Sequence, residues 1–238
     1  MIVLDPVRIA TVYLVQGLMG LIYLYLGIKT LKRDTKRLNV IFAAFYLSIA
    51  IGTFINWIYA PLNDAPIVLY LNFLTNFSMF FGVIFLVIFN LILLKSEKII
   101  TSNKQIIIIV AYGLILGVGM FVLIHIPETK VYFDPEKFSP IWPIGFYLYV
   151  AIIVNSLAMA PALFLLIQVY KKIEDQELKQ KFKFFSIGVI EILIFANLIF
   201  LSNFLNNGTF RTISAIIGFL LVVSAAYLMY NGVGRQIS

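Results

Sequence analysis

The sequence predicts an all-α membrane protein, a bundle of seven transmembrane helices. Of its 238 residues, 62% are apolar and only 12% are charged, whereas a soluble domain is about half apolar and about a quarter charged. The mean hydropathy is +1.00. The apolar residues also fall in long runs, and a run of about 18 or more with few charges is typical of a transmembrane helix. We therefore expect a multi-pass protein of the cell membrane, in contact with membrane lipids.

Polar and proline-containing breaks divide the chain into seven apolar runs. Each run is long enough to cross a hydrocarbon core of about 30 Å at about 1.5 Å per residue. The predicted spans cover residues 8–30, 38–60, 67–94, 104–126, 141–170, 182–205 and 210–231. Together they form a single transmembrane domain over residues 1–238.

Each span has a recognisable boundary. Asp5 and Pro6 precede the first span, where Asp can cap a helix and Pro suits its first turn. The N-terminal MIVLDPVRIA lacks the basic region of a signal peptide, so we expect this span to stay in the protein. PLNDAP separates the second and third spans, and NNG separates the sixth and seventh, both as turns.

Two longer connections flank the fifth span. In IPETKVYFDPEKFSPIWP, Pro127, Pro135, Pro140 and Pro143 prevent a continuous helix, so we expect an ordered crossover or a lid over the bundle. Trp142 in this segment is expected in the aromatic belt of the membrane interface. After the fifth span, KKIEDQELKQKFK mixes both charge signs. It is expected to add solvated helical turns, with a docking surface as the alternative.

The distribution of Lys and Arg sets the predicted orientation. Fourteen of the 18 basic residues lie at span ends that face one side, and four lie at the other side. Because basic residues concentrate in cytoplasmic connections, we predict the N-terminus outside and the C-terminus in the cytoplasm. The net charge of +7 comes from these helix ends, so we expect no nucleic-acid partner.

The composition excludes several kinds of chemistry. The chain has no cysteine and one histidine, which excludes disulfides and thiolate sites, and we expect no metal site. No pattern resembles a nucleophile–base pair, so we expect neither catalytic residues nor enzymatic activity. A covalently bound retinal needs a lysine inside the last span. FRTISAIIGFLLVVSAAYLMY has none, so we expect no cofactor.

Polar side chains inside the spans mark the candidate site. Residues three, four and seven apart share a helix face, and Asn72 and Asn76 form such a stripe in the third span. At about 1.5 Å per residue, Glu191 and Asn76 lie near the membrane centre. Gln16 and Asn155 lie at a similar depth, slightly toward the outer side of the membrane. We therefore predict that spans one, three, five and six enclose a cavity lined by these residues, as a ligand-binding site or a proton switch.

Glu191 stands alone among apolar residues in FFSIGVIEILIFANLIF. A charged carboxylate at the membrane centre costs about 2.5–3.5 kcal/mol on insertion scales, and we expect no Lys or Arg at the same depth. We therefore predict that Glu191 carries a proton at neutral pH and donates a hydrogen bond to Asn76 or Asn155. The alternative is a hydrogen-bonded strut that only joins helices.

Pro161 lies inside the fifth span. It removes one backbone hydrogen bond and is expected to kink the helix, a feature that membrane helices tolerate. The kink is either static or a hinge.

The layout of the chain resembles a known family. YLYLGIKTLKRDTKRLNVIFAAFYLSIAIGTFINWIY runs from the first span through a short basic turn into an aromatic-rich second span, and a long third span ends in NLILLKSEKI. This order is similar to the seven-transmembrane sensor region at the N-terminus of many bacterial and archaeal histidine kinases. The resemblance covers most of the chain and implies a bundle that passes a signal to cytoplasmic domains. The sequence carries no coiled coil, histidine box or ATP-binding domain, so the resemblance implies a stand-alone relative that signals through a partner.

Two functions fit these observations. We expect a receptor-like or sensor-like protein that binds a small or lipidic ligand within the bundle and signals through a cytoplasmic partner. The alternative is a small-molecule transporter or a lipid-handling protein. Transporters often carry inverted repeats, but spans one to three show no clear similarity to spans five to seven.

Overall fold

The computed structural model describes residues 9–62, 64–134 and 139–234. Within these ranges it is a helical bundle with seven helices long and apolar enough to cross a membrane. They are Val12–Arg33 (α1), Arg37–Tyr59 (α2), Ala65–Lys95 (α3), Ser102–Leu123 (α4), Ile144–Lys172 (α5), Gln176–Leu205 (α6) and Gly208–Gly232 (α7). The predicted helical bundle is confirmed, and its apolar helices indicate a multi-pass membrane protein. The predicted start at Asp5 and Pro6 lies outside the described residues.

Side-chain caps fix several helix starts. Asp64, Asp175 and Asn207 each accept a hydrogen bond from the backbone N–H three residues later, at 2.7–3.1 Å. Such caps satisfy donors that the first helical turn leaves unpaired. The cap at Asp175 explains why α6 begins at Gln176 rather than at the predicted residue 182. The charged segment between α5 and α6 therefore adds helical turns, as expected.

The helices depart from regular α-helical geometry at four places. Gly82 separates two α-helical parts of α3. The backbone is π-helical over Ala10–Gln16, Asn155–Met159 and Tyr230–Gly234. A π-helical turn changes the direction in which the following side chains point, and such turns are frequent at functional sites.

Six helices form a closed ring, and α4 lies outside it. Neighbours in the ring follow the order α1, α2, α3, α5, α6 and α7, and α7 returns to α1. Only 17% of the apolar segment of α4 is buried, against 56% for α2 and for α3. Gly113 and Gly117 of α4 pack against the rings of Phe81 and Phe77. This pair of small residues therefore serves packing within the bundle.

An aromatic cluster joins helices across the ring. The ring centres of Phe42 in α2, Phe89 in α3 and Phe185 in α6 lie 5.1–5.9 Å apart. All three side chains are fully buried. Pairs at such distances stabilise beyond their burial, so this cluster ties α6 to α2 and α3.

A short hairpin covers one end of the bundle, which we call the hairpin end. Its strands, Tyr132–Asp134 (β1) and Ser139–Ile141 (β2), pair antiparallel, with Tyr132 opposite Ile141. This hairpin lies in the proline-rich connection where the sequence predicted a crossover or a lid. The opposite end carries the connections 34–36, 96–101 and 173–175, and we call it the basic end.

Trp142 anchors the hairpin in the bundle rather than in an interface belt. Its side chain is 1% exposed and lies against the rings of Phe80, Phe146 and Phe200. Its backbone N–H donates to the carbonyl of Asn203 at 3.2 Å. The expectation of a belt position is therefore wrong, because β2 turns this residue inward over the end of the core.

Candidate functional site

Glu191 is held by α7. It is half-buried, and its Oε1 accepts a hydrogen bond of 3.2 Å from the Ser224 hydroxyl. The predicted partners, Asn76 and Asn155, lie on other helices and make other hydrogen bonds.

The two predicted asparagines of α3 make different hydrogen bonds. Asn72 donates to the Tyr59 hydroxyl at 2.9 Å. Asn76 donates to the backbone carbonyl of Asn72 at 2.8 Å. Both side chains are buried. Asn72 therefore joins α3 to α2, whereas Asn76 bonds within its own helix.

Gln16 pairs near the hairpin end of α1 and α2. Its Oε1 accepts a hydrogen bond from the side-chain amide of Asn56. Tyr13 and Trp57 flank this pair, and the indole N–H of Trp57 donates to the carbonyl of Val12 at 2.8 Å. Gln16 therefore joins α1 to α2.

Asn155 and Asn197 form a reciprocal amide pair between α5 and α6. The Asn155 amide donates to Asn197 Oδ1 at 3.0 Å, and the Asn197 amide donates to Asn155 Oδ1 at 3.3 Å. Each amide also donates to the carbonyl four residues earlier in its own helix, at 2.8 Å and 2.9 Å. Asn155 is half-buried and Asn197 is exposed. The pair therefore lies at the outer surface of the bundle.

This amide pair lines a groove of about 450 Å³ between α5 and α6. We call it the α5–α6 groove. Its other walls are apolar: Met159, Ala160, Leu163, Ile190, Leu193, Ile194, Leu198 and Leu201. Ligand pockets of proteins measure roughly 300–1,000 Å³ and combine apolar walls with a few polar groups. The α5–α6 groove fits this description.

The cavity inside the ring is much smaller. It measures about 20 Å³ and is lined by side chains of α1, α2, α3, α6 and α7, Tyr23 and Phe195 among them. One water molecule needs roughly 10–15 Å³ by this kind of measure. The interior cavity is therefore too small for an organic ligand, and apart from Tyr23 its lining is apolar.

Pro161 follows the π-helical turn of α5. Proline has no backbone N–H, so the carbonyl of Leu157 lacks the donor that a regular helix supplies. The turn Asn155–Met159 ends two residues before it, and Asn155 begins that turn. An irregular backbone therefore stands at the wall of the α5–α6 groove, and the hinge role of Pro161 stays a prediction.

The sequence indicates the positions of these residues along their helices but does not identify their partners. The pairing of Glu191 with Ser224 and of Asn155 with Asn197 was not predicted, because it depends on which helix faces meet. Among the described residues, no group of three or more acidic, His or Cys side chains is placed to hold a metal ion.

Compared with known proteins, the chain matches no family model, no curated protein and no solved structure.

Proposed function

We propose that the protein is a receptor-like or sensor-like membrane protein that binds a lipidic ligand in the α5–α6 groove. The observation that carries this proposal is the amide pair of Asn155 and Asn197 in an otherwise apolar groove at the surface of the bundle. Polar side chains inside membrane helices are costly when they lack partners. A groove that places two amides at its wall therefore favours a ligand with one polar group and a long apolar part.

The hydrogen bonds of the amide pair specify which polar group fits. The N–H groups of Asn155 and Asn197 are already used by the partner amide and by backbone carbonyls. Each Oδ1 accepts one of these bonds, and an amide oxygen has two lone pairs. The remaining capacity is that of an acceptor. The ligand therefore carries a donor, such as the hydroxyl of a long-chain or cyclic alcohol.

The position of the groove suggests how a bound ligand changes the protein. Asn155 opens the π-helical turn that precedes Pro161, and α5 continues to Lys172 at the basic end. A ligand that prefers one geometry of this turn shifts the protein toward that geometry. The change then reaches the connection 173–175, where we place the contact with a cytoplasmic partner. The resemblance to seven-transmembrane sensor regions agrees with this proposal.

A variant without the amide pair tests ligand binding. Asn155→Leu/Asn197→Leu removes both partners together, so neither amide is left unpaired and the fold is retained. We expect native mass spectrometry of gently extracted protein to show a defined bound molecule in the wild type. The double variant is expected to hold about tenfold less, since hydrogen bonds within membranes contribute about 0.6–1.7 kcal/mol each.

Ser156→Ala is the matched control for this experiment. Ser156 is exposed beside Asn155 and donates to the carbonyl of Ile152 in its own helix, so its loss leaves the groove intact. Equal occupancy in wild type and double variant would refute binding at the amides.

The alternative function is a lipid-handling protein, which the opening of the groove on the bundle surface favours. Movement of fluorescent lipid between the leaflets of liposomes would distinguish this function from that of a receptor.

We also propose that the protein lies in the cell membrane with the hairpin end outside and the basic end in the cytoplasm. The chain has no cysteine, so single cysteines can be labelled without background. We expect an impermeant maleimide to label Lys130→Cys in intact cells and to label Glu174→Cys only after permeabilisation. Both positions are exposed. The reverse pattern would contradict this orientation.

A further inference from the structure

The ammonium group of Lys29 is held between two tyrosine rings near the basic end of α1. Its Nζ atom lies 5.2 Å from the centre of the Tyr25 ring, four residues earlier in α1, and 4.5 Å from the centre of the Tyr230 ring in α7. The face of an aromatic ring attracts a cation at such distances. The two rings therefore fix the ammonium at the seam where α1 meets α7. We call these three residues the Lys29 site.

The positive charge of the Lys29 site is not neutralised within the described ranges of the chain. None of the salt bridges between residues of these ranges includes Lys29. Lys32, three residues later on the same face of α1, is exposed and takes part in none of them either. A tyrosine ring attracts the ammonium without carrying a negative charge, so the site keeps a net positive charge that an anion can balance.

The Lys29 site lies at the level of the lipid headgroups. Lys29 is four residues from the end of α1 at Arg33, and Tyr230 is two residues from the end of α7 at Gly232. At 1.5 Å per residue these separations are about 6 Å and about 3 Å. A hydrocarbon core of about 30 Å lies within a bilayer of about 40–45 Å, so the last turn of each helix reaches the layer that holds the lipid phosphates.

The surface between this site and the membrane centre is apolar and exposed. Leu21 and Tyr25, on the same stripe of α1 as Lys29, are 50% and 59% exposed. Val223 and Tyr227, on the same stripe of α7 as Tyr230, are 37% and 69% exposed. Acyl chains can lie along this surface, whereas a free anion in water makes no use of it. The combination of a positive charge with an apolar surface therefore selects a lipid.

We propose that the Lys29 site binds the phosphate group of an anionic phospholipid in the leaflet at the basic end. The ammonium donates to the phosphate oxygens, the two tyrosine rings hold it in place, and the acyl chains lie along the seam of α1 and α7. Lysine binds phosphate as a point charge, and basic pockets between membrane helices bind anionic headgroups. The site is built from α1 and α7, so it stands or falls independently of the α5–α6 groove.

Native mass spectrometry with phosphatidylglycerol and phosphatidylcholine tests the site. Both lipids carry a phosphate, but only phosphatidylglycerol has a net negative charge. We expect the ratio of their affinities to fall about fivefold in Lys29→Gln, the effect of one basic side chain near the membrane surface. Lys29→Arg keeps the charge and is expected to keep the ratio.

Lys98→Gln is the matched control, because it removes one exposed lysine from the same end of the bundle. We expect it to keep the wild-type ratio. An unchanged ratio in Lys29→Gln would overturn the proposal. An equal fall in both variants would also overturn it, since the lipid would then be attracted by the whole basic end.

Photolabelling of the wild-type protein locates the lipid without any substitution. The probe is phosphatidylglycerol with a diazirine in one acyl chain, in vesicles of phosphatidylcholine, and the same probe built on phosphatidylcholine corrects for side-chain reactivity. We expect the ratio of the two labels to be several-fold higher at Tyr227 than at Ile107, which is 65% exposed near the basic end of α4. Excess inorganic phosphate is expected to leave the labelling unchanged. Equal ratios at the two residues would overturn the proposal, and so would loss of the label with phosphate, which would indicate a site for a free anion.

Discussion

Gly188→Leu is expected to prevent α6 and α7 from packing. A Cβ atom at Gly188 would lie 2.7 Å from Met229 Cγ and 2.9 Å from the backbone carbonyl oxygen of Ala225. Because backbone of α7 forms part of this contact, the helices would have to separate to admit a leucine. Overpacking a core costs about 1–3 kcal/mol and sometimes more, and here it disrupts a whole helix pair. We expect a large fall in the yield of monodisperse protein and in its thermal midpoint.

Gly208→Leu is the matched control, because it makes the same substitution of glycine by leucine at another position. Gly208 is the first residue of α7, and a Cβ atom there meets nothing within 4 Å. We expect its stability to stay within about 0.5 kcal/mol of the wild type, as for other surface substitutions. If the two variants have the same elution profile in size-exclusion chromatography and the same thermal midpoint, the close contact between α6 and α7 is contradicted.

Trp142→Ala is expected to open the hairpin end of the core. The indole is 1% exposed, with the Phe146 ring centre 5.0 Å away and those of Phe80 and Phe200 at 6.4 Å. Truncation of a buried aromatic residue to alanine costs about 3–5 kcal/mol. We expect a correspondingly lower thermal midpoint, measured on purified protein in one fixed detergent.

Trp142→Phe separates packing from hydrogen bonding at this position. The indole Nε1 has no hydrogen-bond partner among the described residues, so phenylalanine keeps an aromatic ring and removes no bond seen in the structure. We expect it to lose less than half as much stability as Trp142→Ala. Tyr132→Ala, at a side chain 52% exposed on the hairpin, is expected to change little. A Trp142→Ala protein as stable as the wild type would contradict the role of Trp142 as an anchor.

The sequence predicted the helical fold because the hydropathy of each span is a sum over many residues. The charged segment after α5 and the caps at Asp175 and Asn207 then set the helix ends. A few misjudged residues change such a boundary by one or two turns and leave the number of helices unchanged. The hairpin was not predicted, since four prolines exclude a helix without specifying what replaces it.

The arrangement of the polar residues did not follow from the sequence. Position along a helix gives the depth of a side chain, but its direction depends on which face packs against which neighbour. Glu191 points to Ser224 rather than to Asn76, and the π-helical turn at Asn155 changes the local direction of α5. Asn76, Asn155 and Asn197 also bond to carbonyls four residues earlier in their own helices. This local bond competes with the longer-range contacts that the sequence suggested.

Photolabelling with a long-chain alcohol tests the central claim, that the amide pair in the α5–α6 groove selects a lipidic hydrogen-bond donor. The probe is a fatty alcohol with a diazirine in its chain, and its methyl ether is the comparison because it cannot donate. We predict that the alcohol labels Ile194 and Leu198, which line the groove, and that the ether labels them several-fold less. Equal labelling by both probes, or labelling spread evenly to the exposed Leu220 of α7, would contradict the claim.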